Sequence, residues 1–166
     1  SLVGSEMCIR DSYDLMKYIY TVLLCLFLAV TNIQADNLTQ PFSLVPCPVS
    51  LVPGTGNFHF SAKTSFAVEN EGQAEQVRQF TGLLTRAAGF TPRIKVDSRK
   101  GDVWLVTDAT LKSEAYKLEI TAKKITIRAS DLQGFYYALQ SIRQLLPSAI
   151  ESEQVTENVD WTVPAS

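Results

Sequence analysis

Histidine and cysteine are nearly absent from this chain of 166 residues, which has one histidine, His59, and three cysteines, Cys8, Cys25 and Cys47. A thiol–imidazole catalytic pair would have to be built from lone residues that carry no motif, and it is set aside. Charge is sparse and balanced: 15 basic against 17 acidic residues, a formal net of −2. Such a chain has no net attraction for phosphate, which excludes a charge-driven nucleic-acid binder. Length excludes a (β/α)8 barrel, which needs roughly 250 residues. What is present suits one globular domain: 46% hydrophobic residues and 16 aromatics can build a core, which argues against disorder.

The first 35 residues read as processing sequence. Met16-Lys17 precedes an apolar run, Ile19 to Val30, of 12 residues. That is short of the roughly 20 a spanning helix needs. With Lys17 as the positive region and a small residue at Ala35, 16–35 is expected to be a secretory signal peptide cleaved after Ala35. Cys25 follows Leu24 mid-run, which does not suit a lipoprotein signal. Residues 1–15 stand upstream of the first sensible start and have no periodicity, so they are expected to be a non-native leader. Taking Glu6, Arg10, Asp11, Asp14 and Lys17 away leaves 13 basic and 14 acidic residues. Cys47 is then the single mature cysteine and cannot close an internal disulfide.

Along the mature chain, 43–48 carries two prolines and is expected to be an edge strand or extended arm. Asn37-Leu38-Thr39 fits a glycosylation acceptor, a weak three-residue match. Pro53-Gly54-Thr55-Gly56 marks a turn. Phe58-His59-Phe60 and Phe66-Ala67-Val68 read as short strands, with His59 pointing away from the phenylalanines to solvent. Asn70 can cap a helix, with Gln73 three residues on. Ala74, Val77, Phe80, Leu84 and Ala87 form one apolar stripe, and Gly89 then Pro92 stop it, so the helix is predicted over Glu71 to Ala88. Arg93–Val96 alternates. Val103–Val106 is continuously apolar and predicts a central strand covered on both faces. Tyr116–Ile120 and Ile125–Ala129 alternate on either side of three residues and predict a hairpin.

A second helix is the clearest element. Ser130 or Asp131 caps it, and Leu132, Phe135, Leu139, Ile142 and Leu146 step by three and four until Pro147. Gly134 costs roughly 1 kcal/mol there relative to alanine. Close packing explains it better than a phosphate site, since no glycine-rich loop surrounds it. Tyr136 and Tyr137 are expected to wedge the helix onto the sheet rather than to stack on sugar. Glu151, Glu153, Glu157 and Asp160 lie in a polar stretch without an apolar pocket to raise a pKa, so 151–166 is expected to be a solvated linker, in which Val159–Pro164 resumes a strand-like pattern.

Several local patterns resemble the N-terminal domain of the family 20 glycoside hydrolases, the secreted β-N-acetylhexosaminidases. Leu44-Val45-Pro46-Cys47-Pro48 with Gly56-Asn57-Phe58 is similar to their opening. Glu114-Ala115-Tyr116-Lys117-Leu118 resembles one of their strands. Ile125–Ala129 and the run Gly134–Leu146 resemble the strand and helix that close the domain. The resemblance covers about 44–147 and implies an α+β accessory domain (an α/β sandwich), 36–150, with two helices packed on one face of a largely antiparallel sheet. It implies that 151–166 leads to a catalytic barrel beyond this sequence, the domain's partner. That barrel would hold an adjacent Asp-Glu pair. The glutamic acid would protonate the leaving oxygen while the substrate's own 2-acetamido oxygen attacks, oriented by the aspartate.

No catalytic, cofactor-binding or metal-ligating residue is therefore expected in the chain itself. N-acetylhexosamine-containing glycans would be met through the barrel, with no nucleic acid, and no membrane after signal cleavage. The expected location is periplasmic or extracellular. Two other readings stay open: a free-standing carbohydrate-binding or scaffolding module, and the similar domain of another glycosidase family acting on N-acetylglucosaminides or glucuronides.

Overall fold

The computed structural model describes residue 50 and residues 52–166. The expected signal peptide, leader and proline arm with Cys47, and Asn37, lie outside the described residues. Among the described residues, seven strands and two α-helices follow in the order β1 (Asn57–His59), β2 (Ser65–Val68), α1 (Glu71–Ala88), β3 (Arg93–Val96), β4 (Val103–Thr107), β5 (Tyr116–Ile120), β6 (Ile125–Ala129), α2 (Leu132–Leu145) and β7 (Thr162–Pro164). A 3-10 turn, Ser148–Glu151, follows α2.

Helix α1 begins where its cap chemistry puts it. The Asn70 side chain accepts from the Gln73 N–H, and Gly89 ends the helix in the left-handed conformation with φ 73°. Its stripe of Ala74, Val77, Phe80, Leu84 and Ala87 is buried. Helix α2 is capped by Asp131, whose carboxylate accepts from the Gly134 N–H. Both helices share one core with the inner side chains of the sheet, among them Phe66, Val68, Leu105, Ile125 and Ile127. The fold is α+β, two helices on one face of a sheet.

Strand direction differs from the expected largely antiparallel arrangement. The five-stranded sheet has the order β3-β2-β4-β6-β5. Three of its four pairings are parallel, and β5–β6 alone is antiparallel. Alternation tells which face a residue occupies but says nothing of direction, so the hairpin could not stand for the rest. The β2–α1–β3 unit is a parallel crossover. The loop 97–102 then runs back along β2, with Ser98 N–H donating to the Val68 carbonyl and Asp102 N–H to that of Ser65. Gly101 sits so close that a Cβ there would lie 2.8 Å from the Ala67 nitrogen.

Two further expectations are corrected. Strand β4 is central, but Val103 and Leu105 are fully buried while Trp104 and Val106 are half-buried. Helices cover only its inner face. The stretch 151–166, expected to be a linker, closes the domain. β7 pairs antiparallel with β1, and Trp161, Val163 and Ala165 are buried. Val163 faces Phe58, and the Ser166 backbone exchanges two hydrogen bonds with Ile120 at the edge of β5. The strand-like pattern over 159–164 is thus β7, and it belongs to the domain rather than to a linker.

Candidate functional site

In a sheet with parallel strands, ligands favour the crevice beyond the strand ends where connections diverge. Here that point lies between β2, whose chain leaves toward β3, and β4, whose chain leaves toward β5. Glu69 closes it. Its carboxylate accepts from the Thr107 N–H at 2.9 Å and from Gln73 Nε2, while Gln73 Oε1 accepts from the Glu69 N–H at 2.7 Å. Gln73 is 1% exposed and also donates to Thr107 Oγ1. Partial burial pushes the Glu69 pKa up, but the Thr107 and Gln73 hydrogen bonds outweigh it and the net direction is down. A carboxylate held ionised across the crevice makes it a structural clamp, hostile to a phosphate.

The start of α2 is similarly committed. Asp131 accepts from Gly134 N–H with one oxygen, and from Ser113 Oγ and Glu114 N–H with the other. Those bonds, the Gly134 one foremost, hold its pKa below the ordinary aspartate value. A Cβ on Gly134 would stand 2.7 Å from the Ala115 carbonyl oxygen and 2.9 Å from Ala129 Cβ. The glycine thus serves close packing, as the sequence suggested.

Several of the remaining acids have local partners. Asp102 accepts from the Ser65 N–H and Oγ. Asp108 is held by Thr110, Glu151 pairs with Arg143, and Glu153 pairs with Arg86. Exposed His59 meets Asp160 at 3.3 Å. A Lys95–Ser65–Asp102 chain has the residue types of a nucleophile and base, with Lys95 Nζ 3.3 Å from Ser65 Oγ. Ser65 is nearly buried, and its hydroxyl and its N–H both donate to Asp102, so the chain ties strand to loop. Among the described residues no cluster of three histidine, cysteine, aspartate or glutamate side chains could hold a metal.

A cavity of about 220 Å3 lies between the two helices, bordered by Gln76, Gln79, Leu83, Tyr136, Gln140 and Arg143. This lining holds no carboxyl or imidazole, the groups proton transfer uses most often. The Gln76 Oε1 is buried there with no hydrogen-bond partner among the described residues. Tyr136 and Tyr137 do not wedge the helix onto the sheet. They are 37% and 39% exposed and meet each other edge to face at 5.8 Å. They sit at consecutive positions beside the buried stripe, and Tyr136 borders the cavity. Gly82 lies exposed mid-helix with nothing within 4 Å of a Cβ placed on it. Sequence reasoning missed this face; the signal was a glycine inside a strong helix pattern beside a run of glutamines.

The family described as "Glycosyl hydrolase family 20, domain 2" matches residues 42–165. A Beta-hexosaminidase of Porphyromonas gingivalis is 23% identical over 125 residues, 73% of this chain and 16% of that protein. Among solved structures, the Streptomyces plicatus N-acetyl-beta-hexosaminidase aligns with a TM-score of 0.66 at 26% identity, over 74% of this chain and 24% of its own. The Flavobacterium johnsoniae chitobiase has the same fold, with a TM-score of 0.57 at 20% identity over 76% of this chain and 20% of its own. The chain thus spans less than a quarter of the length of each of these relatives.

Proposed function

The chain belongs to the glycosyl hydrolase family 20, domain 2 family, and from that premise we propose that it is the accessory domain of an exported β-N-acetylhexosaminidase. The enzyme would remove terminal N-acetylhexosamine from glycans. Its acid and its acetamido-orienting aspartate would lie in a barrel beyond Ser166. The observation that carries this is the family match across nearly all the described residues, on a domain whose carboxylates serve caps, clamps and ion pairs.

The domain's own part would be to cover the barrel with its helix face. Three features support that role. An exposed mid-helix glycine costs about 1 kcal/mol against alanine and gains nothing within the chain. A buried amide oxygen without a partner is costly unless something else meets it. A groove with two tyrosines at its edge offers the apolar and hydrogen-bonding surface that interfaces favour. Sequencing the reading frame past Ser166 tests the proposal. We expect a barrel-length stretch of roughly 250 residues with an adjacent Asp-Glu pair at a strand end. A continuation without that pair would favour the related glycosidase family or a free-standing module.

A further inference from the structure

The two faces of the domain carry charge differently. On the helix face each arginine is neutralised: Arg78 by Glu71 and Glu75, Arg86 by Glu153, Arg143 by Glu151. The opposite face of the five-stranded sheet is built otherwise. The register turns Arg93 and Lys95 of β3, Lys117 of β5 and Arg128 of β6 away from the helices. Lys124 joins them, its ammonium 4.1 Å from the Trp104 ring centre. Among the described strand residues on that face, Glu119 is the one acid. Lys117 and Arg128 stand directly opposite each other across the antiparallel pair. Like charges so placed destabilise a sheet. Asp108, kept ionised by the Thr110 N–H and hydroxyl, attracts both and offsets part of that repulsion, and Asp102 stands near Lys95 through Ser65.

A like-charge pair at the β5–β6 edge of a face where bases outnumber the acids Glu119, Asp108 and Asp102 is an arrangement a further anion would relieve. We propose that this outer sheet face binds an extended acidic polysaccharide, with an anionic group between Lys117 and Arg128 and the chain running across the strands toward Lys95. From β3 to β5 the face spans four strand spacings, roughly 19 Å at about 4.8 Å each. That is room for a polymer rather than a single ion. Trp104 is half-buried and already covered by Lys124, so no free ring is offered to a nucleobase. Val106 is half-buried, so no apolar side chain stands out for insertion into a lipid surface. The choice of a glycan rests on the domain's proposed place in a glycan-degrading enzyme. The face would tether that enzyme to acidic matrix while the barrel works on chain ends.

Binding of the 166-residue chain to immobilised heparin, with neutral dextran, duplex DNA and anionic vesicles in parallel, tests this. We expect retention on heparin, none on dextran, weaker retention on DNA and vesicles, and loss of binding as salt screens the face. Reversing Lys117 and Arg128 together, K117E/R128E, should weaken heparin binding by about tenfold or more. K63E/K112E makes the same change in net charge at two exposed loop lysines and should retain most of the affinity. Unchanged circular dichroism will show that both pairs of variants fold. Absence of heparin binding, equal loss in the two double variants, or tighter binding to DNA or vesicles would overturn the proposal. None of those results touches the family assignment, which activity of the longer enzyme tests separately.

Discussion

Two glycines in helices show how one residue type answers two different demands. Gly134 has a carbonyl and a methyl group against it, whereas Gly82 faces open space. Replacing Gly82 by alanine should stabilise this chain by up to about 1 kcal/mol through helix propensity. The same change at Gly134 should destabilise it by roughly 1–3 kcal/mol, because overpacking exceeds the propensity gain. Urea titrations of both variants decide this, and equal shifts would refute the packing assignment. Asp131 makes a pH-dependent contribution. Its folded pKa is depressed, first by the Gly134 N–H, so its stabilisation is present above the unfolded value of about 3.9 and is lost as pH falls through the folded one. In Asp131→Asn the loss of stability between about pH 5 and pH 2 should be shallower than in the native chain. Parallel acid curves would remove Asp131 from the explanation.

At the scale of elements, Leu139 sits at the middle of the α2 stripe and is 1% exposed. Leu139→Ala should cost about 2–5 kcal/mol in chemical denaturation, and a change below about 1 kcal/mol would contradict the helix-on-sheet core. Both helices were legible in the sequence because caps, period and stop signals agreed. Glu71–Ala88 follows from Asn70, the apolar stripe and Gly89 alone. The strands were legible as segments, but their directions were not. The parallel β2–β3 and β4–β6 pairs depend on how the chain crosses the sheet, which no window of ten residues contains. Leu132 shows another limit. It fits the stripe by spacing yet is 45% exposed, lying over Gly72 at the start of α1. β7 was legible as the strand-like pattern over 159–164, but its pairing with β1, about a hundred positions away, was not. The sequence-level reading of Glu151, Glu153 and Asp160 as surface carboxylates agrees with their exposed ion pairs. The helix-face groove was not legible, since it exists only once α1 and α2 lie side by side.

For the whole molecule, we propose that the domain is one part of a larger enzyme. Export belongs to that proposal. The Lys17, Ile19–Val30 and Ala35 layout should give a secreted product whose intact mass begins at Asp36, and a cytoplasmic product retaining Met16 would contradict it. The division of labour follows from what glycosidic hydrolysis demands. A proton donor must be held against the leaving oxygen while charge at the sugar carbon is stabilised. Glu69, Asp131 and Glu151 are instead engaged by backbone N–H groups, side-chain hydroxyls and amides, and an arginine, which lower their pKa. Such groups are poor acids at neutral pH. The most direct measurement compares two purified proteins on an aryl N-acetyl-β-glucosaminide: this chain alone, and the product of its reading frame continued past Ser166. The longer protein should release the chromophore, and the chain alone should release none at matched concentration. Turnover by the chain alone, or none by the longer protein, would contradict the assignment of this domain to a β-N-acetylhexosaminidase whose chemistry lies in the barrel.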